Sequence, residues 1–138
     1  MTPVFADTFY WIALTNFRDV DHKRAKALTF SARPTSIVTT EEVLMEYLNY
    51  FAGWGVSLRR KALSNARHIM GSRTVKVVSQ TAASFRNGLD LYGARLDKGY
   101  SMTDCISMQT MRTEGITDVL TNDVPFEQEG FRTLFRES

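Results

Sequence analysis

The stretch that decides the fold of this chain is VFADTFYWIAL, residues 4–14. Its first three residues, Val4 to Ala6, are apolar and are followed at once by Asp7-Thr8, which predicts a short buried strand that ends in a turn. The aromatic and aliphatic residues that come next predict a helix from Phe9 to Phe17, with Trp11 among its core-facing side chains. A buried strand that leads into a helix is typical of a parallel α/β sheet.

Strand and helix patterns alternate along the rest of the chain. Further strands are predicted at 36–38, 75–78, 118–121 and, as a short last one, 132–135. Further helices are predicted at 22–30, where Pro34-Thr35 ends the pattern, and at 39–51, 57–70, 81–96 and 101–112. This order predicts a three-layer α/β/α sandwich around a central, mostly parallel sheet of four to five short strands.

The bulk properties are typical of one soluble globular domain that spans residues 1–138. The chain has 43% apolar and 23% charged residues. It lacks both a run of roughly 20 apolar residues, which a bilayer span needs, and a secretory signal pattern. Cys105 is the one cysteine, so no internal disulfide can form. We therefore expect a cytoplasmic protein with no membrane partner.

The charge pattern leaves a nucleic-acid partner open. The net charge of +2 neither demands nor excludes one. One stretch without an acid carries five cations: Arg59, Arg60, Lys61, Arg67 and Arg73. This stretch is either a phosphate-facing strip or an ordinary solvated helix face.

Missing motifs argue against several kinds of site. His22 and His68 are far apart, and no His-x-x-x-His or Cys-x-x-Cys pair occurs, which argues against zinc. No phosphate-binding glycine loop and no G-x-S-x-G elbow is present. Cys105 follows Asp104 in an apolar context, so we expect a core residue rather than a nucleophile.

Four acids lie where the predicted sheet would bring them together. Asp7 follows the first strand directly, and Asp123 follows the fourth strand by two residues. Asp104 lies in the first turn of a predicted helix, and Glu46 lies in the helix after the second strand. Because the carboxyl ends of parallel strands share one edge of a sheet, we expect these side chains to converge there.

Converging carboxylates need a counter-charge. At about 5 Å and an effective dielectric of ~20, each like-charged pair repels by roughly 3 kcal/mol. Such a cluster either takes up protons or binds a cation. Oxygen ligands favour Mg²⁺ or Mn²⁺, and such an ion can activate a water to attack a phosphodiester.

Each acid also has a purely structural interpretation. Asp104 fits a capping box with Ser101, Asp7 can cap the helix that follows it, and Asp123 can form a turn. Glu46 borders the apolar stripe of an amphipathic helix and can be a surface residue. Glu42, one turn earlier, competes with Glu46 for the site. Its spacing from Thr39 predicts a capping box between these two residues instead.

Four segments together resemble the motifs of the PIN-domain family, the nuclease fold of VapC-type toxins in toxin–antitoxin pairs. They are FADTFYWIAL at 5–14, TTEEVLME at 39–46, GYSMTDCIS at 99–107 and VLTNDVPFEQEGF at 119–131. The resemblance covers nearly the whole chain. It matches the family's acids to Asp7, Glu46, Asp104 and Asp123, and its supporting hydroxyls to Thr8 and Thr121.

The resemblance implies a metal-dependent endoribonuclease that uses Mg²⁺ or Mn²⁺ to hydrolyse RNA, the toxin of a toxin–antitoxin pair. Asp7 and Asp104 would be direct metal ligands, and Glu46 and Asp123 would be ligands or groups that orient water. It also implies an antitoxin whose C-terminal segment blocks the site, and a homodimer, for which the N-terminal helices and residues 58–70 are candidate surfaces.

Two alternatives belong to other classes. One is a catalytically silent PIN-like module that binds RNA or another protein, although the intact acids argue against it. The other is a phosphoacceptor receiver or an Asp-dependent phosphatase. A receiver needs a lysine at the end of a late strand, where this chain has Thr121-Asn122-Asp123, and the phosphatase D-x-D motif is missing because Asp7 is followed by Thr8-Phe9.

Overall fold

A central parallel sheet organises the molecule. The computed structural model describes residues 3–31 and 36–136. The strands are β1 (Val4–Ala6), β2 (Ile37–Thr40), β3 (Val75–Val78), β4 (Asp118–Leu120) and β5 (Arg132–Thr133). They pair in the order β3-β2-β1-β4-β5, and every pairing is parallel. The predicted α/β fold with a parallel sheet is therefore confirmed, and β1 lies at its centre.

Seven α-helices and one 3₁₀ turn surround this sheet in the described part of the chain. The helices are α1 (Thr8–Thr15), α2 (His22–Ser31), α3 (Glu41–Tyr50), α4 (Val56–Gly71), α5 (Ala82–Ala94), α6 (Met102–Glu114) and α7 (Val124–Gln128). The 3₁₀ turn covers Leu134–Arg136. None of the helices in these described ranges is long and apolar enough to cross a bilayer.

The core forms where the middle strands meet the helices. Phe5 on β1 and Leu120 on β4 are fully buried, as are the aromatic rings of Tyr10 and Tyr47 on α1 and α3. Cys105 is buried too, as its apolar neighbours predicted. Burial of this apolar surface is the main force that holds the helices on the sheet.

The close contact between α5 and α6 depends on Gly88. A Cβ atom at this position would lie 2.5 Å from Cγ1 of Ile106. Only glycine therefore allows the two helices to approach this closely. The contact fixes α6, whose first turn carries Asp104.

The capping box predicted for Thr39 and Glu42 is wrong. Strand β2 continues through Thr40, and it is the Thr40 hydroxyl that accepts the Val43 N–H as the cap of α3. The Thr39 hydroxyl points inward, where it donates to the Ala6 carbonyl at 2.8 Å and accepts the indole N–H of Trp11. The Thr39 side chain therefore links β2 to β1 by a hydrogen bond next to Asp7, and it does not cap a helix.

Several element bounds also differ from the prediction. Helix α1 ends at Thr15 rather than at Phe17, because the backbone of Asn16 turns to an extended conformation, and Lys61 donates a hydrogen bond to the Thr15 carbonyl. Helix α7 was not predicted, since five residues are too few to display a helical period. The last predicted strand, 132–135, is a two-residue strand followed by the 3₁₀ turn. The break predicted at Pro34-Thr35 lies outside the described residues.

Candidate active site

Three of the four predicted acids meet at the carboxyl end of the sheet. Asp7 follows β1, Asp123 follows β4, and Asp104 lies in the first turn of α6. One carboxylate oxygen from each lies within 4.8 Å of the others. We call these three residues the acidic rim. The parallel sheet creates it, because β1 and β4 are neighbours and end at the same edge.

Asp7 is the most enclosed member of the acidic rim. It occupies the N-cap position of α1, yet its side chain makes no cap hydrogen bond there, so the interpretation as a helix cap is wrong. Its carboxylate instead accepts the Thr121 hydroxyl at 2.8 Å. Burial raises the pKa of Asp7 well above its usual range, and the charges of Asp123 and Asp104 raise it further.

Asp104 combines the two roles that its sequence position allowed. It forms a reciprocal capping box with Ser101: the Asp104 N–H donates to the Ser101 hydroxyl, and the Ser101 N–H donates to the carboxylate. Its carboxylate also belongs to the acidic rim. Burial, followed by the charges of Asp123 and Glu46, raises the pKa of Asp104 to about 6.

Asp123 begins α7 but does not cap it with its side chain. Its N–H donates to the Thr121 hydroxyl at 3.2 Å, so this hydroxyl links the backbone of one acid to the carboxylate of another. Burial raises the pKa of Asp123, and the charge of Glu46 adds to the rise, while a hydrogen bond with the Asp7 carboxyl lowers it. The geometry of the pair Asp7 and Asp123 thus depends on Thr121.

Glu46 borders the acidic rim without belonging to the set of oxygens within 4.8 Å. It lies half-buried on α3, and its charge raises the pKa of both Asp104 and Asp123. Glu42, one turn earlier, is buried, and its pKa is raised first by that burial. No member of the acidic rim contributes to the Glu42 shift, which separates Glu42 from the site.

The donor set of the acidic rim fits a hard divalent cation. Within residues 3–31 and 36–136, no salt bridge reaches Asp7, Asp104 or Asp123. Loss of hydration is the main cause that raises the pKa of all three carboxyls, and the charges of neighbouring acids raise it further. Two oxygens on one Mg²⁺ lie at most about 4.2 Å apart. A spread of 4.8 Å is slightly larger, which suits a mixture of direct and water-bridged contacts.

Thr8 adds a second polar group to this neighbourhood. It follows Asp7 directly, and its hydroxyl is buried without a hydrogen-bond partner in the described structure. A buried hydroxyl with no partner carries a desolvation cost. A hydrated cation on the acidic rim would bring water molecules that could satisfy it.

Sequence analysis missed a second buried carboxylate near the site, at Glu129. Arg95 donates to it at 2.8 Å, Arg112 at 2.9 Å and the Tyr100 hydroxyl at 3.0 Å. We call these four residues the Glu129 cluster. Glu129 directly follows α7, the helix that starts after Asp123. Tyr100 precedes α6, which carries Asp104, and Arg112 lies in the last turn of α6, so the cluster links α7 to both ends of α6.

No local signal could have revealed the Glu129 cluster. Glu129 stands in an ordinary polar run, and its arginine partners are 34 and 17 residues away in sequence. The arginines hold the pKa of Glu129 at about 2, even though burial acts to raise it. This carboxylate is therefore ionised and neutralised by the protein itself.

Comparison with known proteins identifies two curated relatives, both 23S rRNA-specific endonuclease VapC20, from two strains of Mycobacterium tuberculosis. Each is 30% identical to this chain over 131 residues, which cover 93% of this chain and 95% of the relative. The crystal structure of Mycobacterium tuberculosis VapC20, titled a sarcin-ricin loop cleaving toxin, superposes with a TM-score of 0.83 at the same coverage. No protein-family model matches the chain.

Proposed function

This chain belongs to the VapC family of PIN-domain endoribonuclease toxins, and we propose that it hydrolyses RNA phosphodiester bonds at the acidic rim. One observation carries the assignment of the site. Three carboxylates, of which that of Asp7 is buried, that of Asp104 half-buried and that of Asp123 exposed, lie within 4.8 Å of one another, with no counter-charge among the described residues. A protein gains nothing in stability from such an arrangement, so its use is to bind a cation.

We assign distinct roles to the acids. Asp7 and Asp104 are direct ligands of Mg²⁺ or Mn²⁺, and Glu46 and Asp123 are further ligands or orient water. Thr121 holds the Asp7 carboxylate in place through its hydroxyl. Thr8 offers an unpaired hydroxyl beside Asp7. When bound, the ion supplies a water of lowered pKa and neutralises charge that develops on the phosphate.

The substrate and partners follow from the family. Since the relatives act on 23S rRNA, we propose a ribosomal RNA loop as the substrate of this chain. We further propose that residues 1–138 form one nuclease domain that acts in the cytoplasm, where ribosomes are. An antitoxin from a separate chain would block the acidic rim, and the nuclease itself would be a homodimer.

The test is cleavage of ribosomal RNA by the purified chain. Labelled 23S rRNA and an unrelated RNA pool would each be incubated with Mg²⁺, with Mn²⁺ and with EDTA. The variants would be Asp104→Asn and, as a matched control on an exposed turn, Asp97→Asn. We expect metal-dependent cleavage that is lost in Asp104→Asn and kept in Asp97→Asn.

The two RNA substrates separate the parts of the proposal. Cleavage of the unrelated pool as fast as of 23S rRNA would refute the ribosomal substrate but not the nuclease. RNA binding without cleavage by any metal form, from a folded protein, would favour the catalytically silent module instead. Undiminished cleavage in EDTA would refute the metal-dependent site.

A further inference from the structure

Two aromatic rings lie stacked on the surface where α3 ends. Tyr50 is the last residue of α3, and Trp54 follows it in the turn before α4. Their ring centroids are 5.3 Å apart, and the ring planes meet at 35°. Tyr50 is 43% and Trp54 44% exposed, although large rings dominate cores and interfaces. We call this pair the aromatic platform.

The aromatic platform is held in place by a third ring. Phe51 is fully buried and makes edge contacts with both exposed rings, at centroid distances of 5.0 Å to Tyr50 and 5.4 Å to Trp54. Gly53 and Gly55 stand on either side of Trp54, and an added Cβ atom at either position would have no neighbour within 4 Å. No bulky side chain crowds the indole along the chain, so the platform can receive a flat group without reorganisation.

The aromatic platform lies close to the acidic rim along α3. Tyr50 comes four residues after Glu46, so the two side chains share one face of the helix and are one turn, about 6 Å, apart. Glu46 borders the acidic rim, where its charge acts on Asp104 and Asp123. A nucleotide next to a phosphodiester bond at the rim is therefore within reach of the platform.

The chain that follows the aromatic platform is positively charged. No acid occurs between Glu46 and Asp90, and this stretch carries seven cations: Arg59, Arg60, Lys61, Arg67, Arg73, Lys76 and Arg86. The first two are exposed at the start of α4, and neither has a salt-bridge partner within residues 3–31 and 36–136. Exposed stacked rings beside unpaired cations are typical of sites that bind single-stranded nucleic acid.

We propose that unpaired bases beside the cleaved bond of the RNA stack on the aromatic platform, while Arg59 and Arg60 bind the neighbouring phosphates. This inference rests on the proposed function, because it places the platform relative to the nuclease site. A base offers its flat face only where it is not stacked in a duplex, so the platform selects single-stranded loops over paired RNA. Since every base can stack, the platform recognises the shape of the substrate rather than its sequence.

The first experiment measures RNA binding by the full chain in EDTA, without cleavage. The probes are a short labelled oligoadenylate and the same strand paired with its complement. Trp54→Ala and Tyr50→Ala should each weaken binding of the single strand by about tenfold or more in Kd and leave duplex binding unchanged. Tyr92→Ala is the matched control, since Tyr92 is 45% exposed on α5. Unchanged single-strand affinity in both platform variants would overturn the proposal in favour of a protein partner, and an equal loss in Tyr92→Ala would also overturn it.

Tryptophan fluorescence follows the same contact directly. The chain has two tryptophans, of which Trp11 is buried and Trp54 exposed. Oligoadenylate should therefore quench the emission of the wild type. Trp54→Phe should keep most of the affinity, because phenylalanine also stacks on bases, but it should lose the quenching. If Trp54→Phe binds as weakly as Trp54→Ala, the indole has a structural role and stacking is refuted.

The phosphate contacts are tested by salt. Arg60→Gln should weaken binding of both probes and lower the slope of log Kd against log salt by about 0.7 for the single strand, whereas Trp54→Ala should leave this slope unchanged. Lys76→Gln is the control, because Lys76 already pairs with Glu114 at 2.6 Å. A wild-type slope in Arg60→Gln would refute the phosphate contact. These measurements involve neither metal nor cleavage, so a failure of the nuclease proposal, tested by Asp104→Asn, is distinguishable from a failure of the platform.

Discussion

The acidic rim and the Glu129 cluster differ in how negative charge is balanced: the rim joins three carboxylates, whereas the cluster joins one carboxylate to two arginines and a tyrosine. At the rim, burial and mutual repulsion raise the pKa of Asp104 to about 6. In the cluster, two arginines and a tyrosine hold the pKa of Glu129 at about 2. Each site buries one carboxylate, Asp7 at the rim and Glu129 in the cluster, but only the cluster supplies its own counter-charge.

This difference separates a binding site from a structural one. The Glu129 cluster is complete, since each oxygen of its carboxylate accepts a hydrogen bond from an arginine. The acidic rim is incomplete without a cation, and its repulsion is a cost to the folded protein. We therefore expect changes at the rim to impair activity and spare stability, and changes at the cluster to do the reverse.

The largest expected effect is the loss of cleavage in Asp7→Asn. Replacing this carboxylate removes one of the two proposed direct ligands, so Asp104 and Asp123 alone would have to hold the ion. We expect a loss of about a thousandfold in kcat/KM, or ~4 kcal/mol of transition-state stabilisation. Steady-state cleavage of 23S rRNA measures it. A variant as active as the wild type would refute the role of Asp7.

The same variant should be more stable than the wild type in metal-free buffer. Asparagine removes a buried charge that Asp123 and Asp104 repel. It also keeps a side-chain oxygen that can accept the Thr121 hydroxyl. Thermal unfolding in EDTA checks this expectation, and a lower midpoint would contradict the contrast between the two sites.

Glu129→Gln should mainly lower stability. It leaves Arg95 and Arg112 without their ion pair, and removing one partner of a buried pair costs about 3–5 kcal/mol. Because both arginines are about two-fifths exposed, water screens them, and we expect about 2 kcal/mol. Urea unfolding measures it. Glu127→Gln is the control, since its ion pair with Arg136 is exposed. Equal effects in the two variants would argue against a special role for Glu129.

The acidic rim was accessible from sequence because it depends on topology. Asp7 and Asp123 each follow an apolar run, and parallel strands end at one edge, so their convergence needs no knowledge of side-chain packing. The capping box of Ser101 and Asp104 was predictable for a different reason, since it depends on two residues only three apart in the sequence.

Other features depend on packing that a sequence does not display. The strand β2 extends two residues further than predicted because Thr39 and Thr40 pair with Val77 and Val78 on β3, and this moves the cap of α3 from Thr39 to Thr40. Glu129 meets Arg95 only after α5, α6 and α7 have assembled. Such long-range contacts follow from the tertiary fold and have no local period.

The smallest expected effect is a difference in how the two sites respond to pH in metal-free buffer. Asp104 has a pKa of about 6 when folded and 3.8 as its usual value, so the folded state binds more protons between these limits. Stability then falls as pH rises from about 4 to about 6, by about 1 kcal/mol after allowance for the partial exposure of Asp104.

Glu129 has a lowered pKa of about 2 against a usual 4.5, so its stabilisation is lost as pH falls through that range. Urea unfolding across these pH values should give a steeper decline above pH 4 in the wild type than in Asp104→Asn, where only the raised pKa values of Asp7 and Asp123 remain, and a shared loss toward pH 2. An equal decline in both chains would mean that Asp104 does not carry the charge repulsion of the acidic rim.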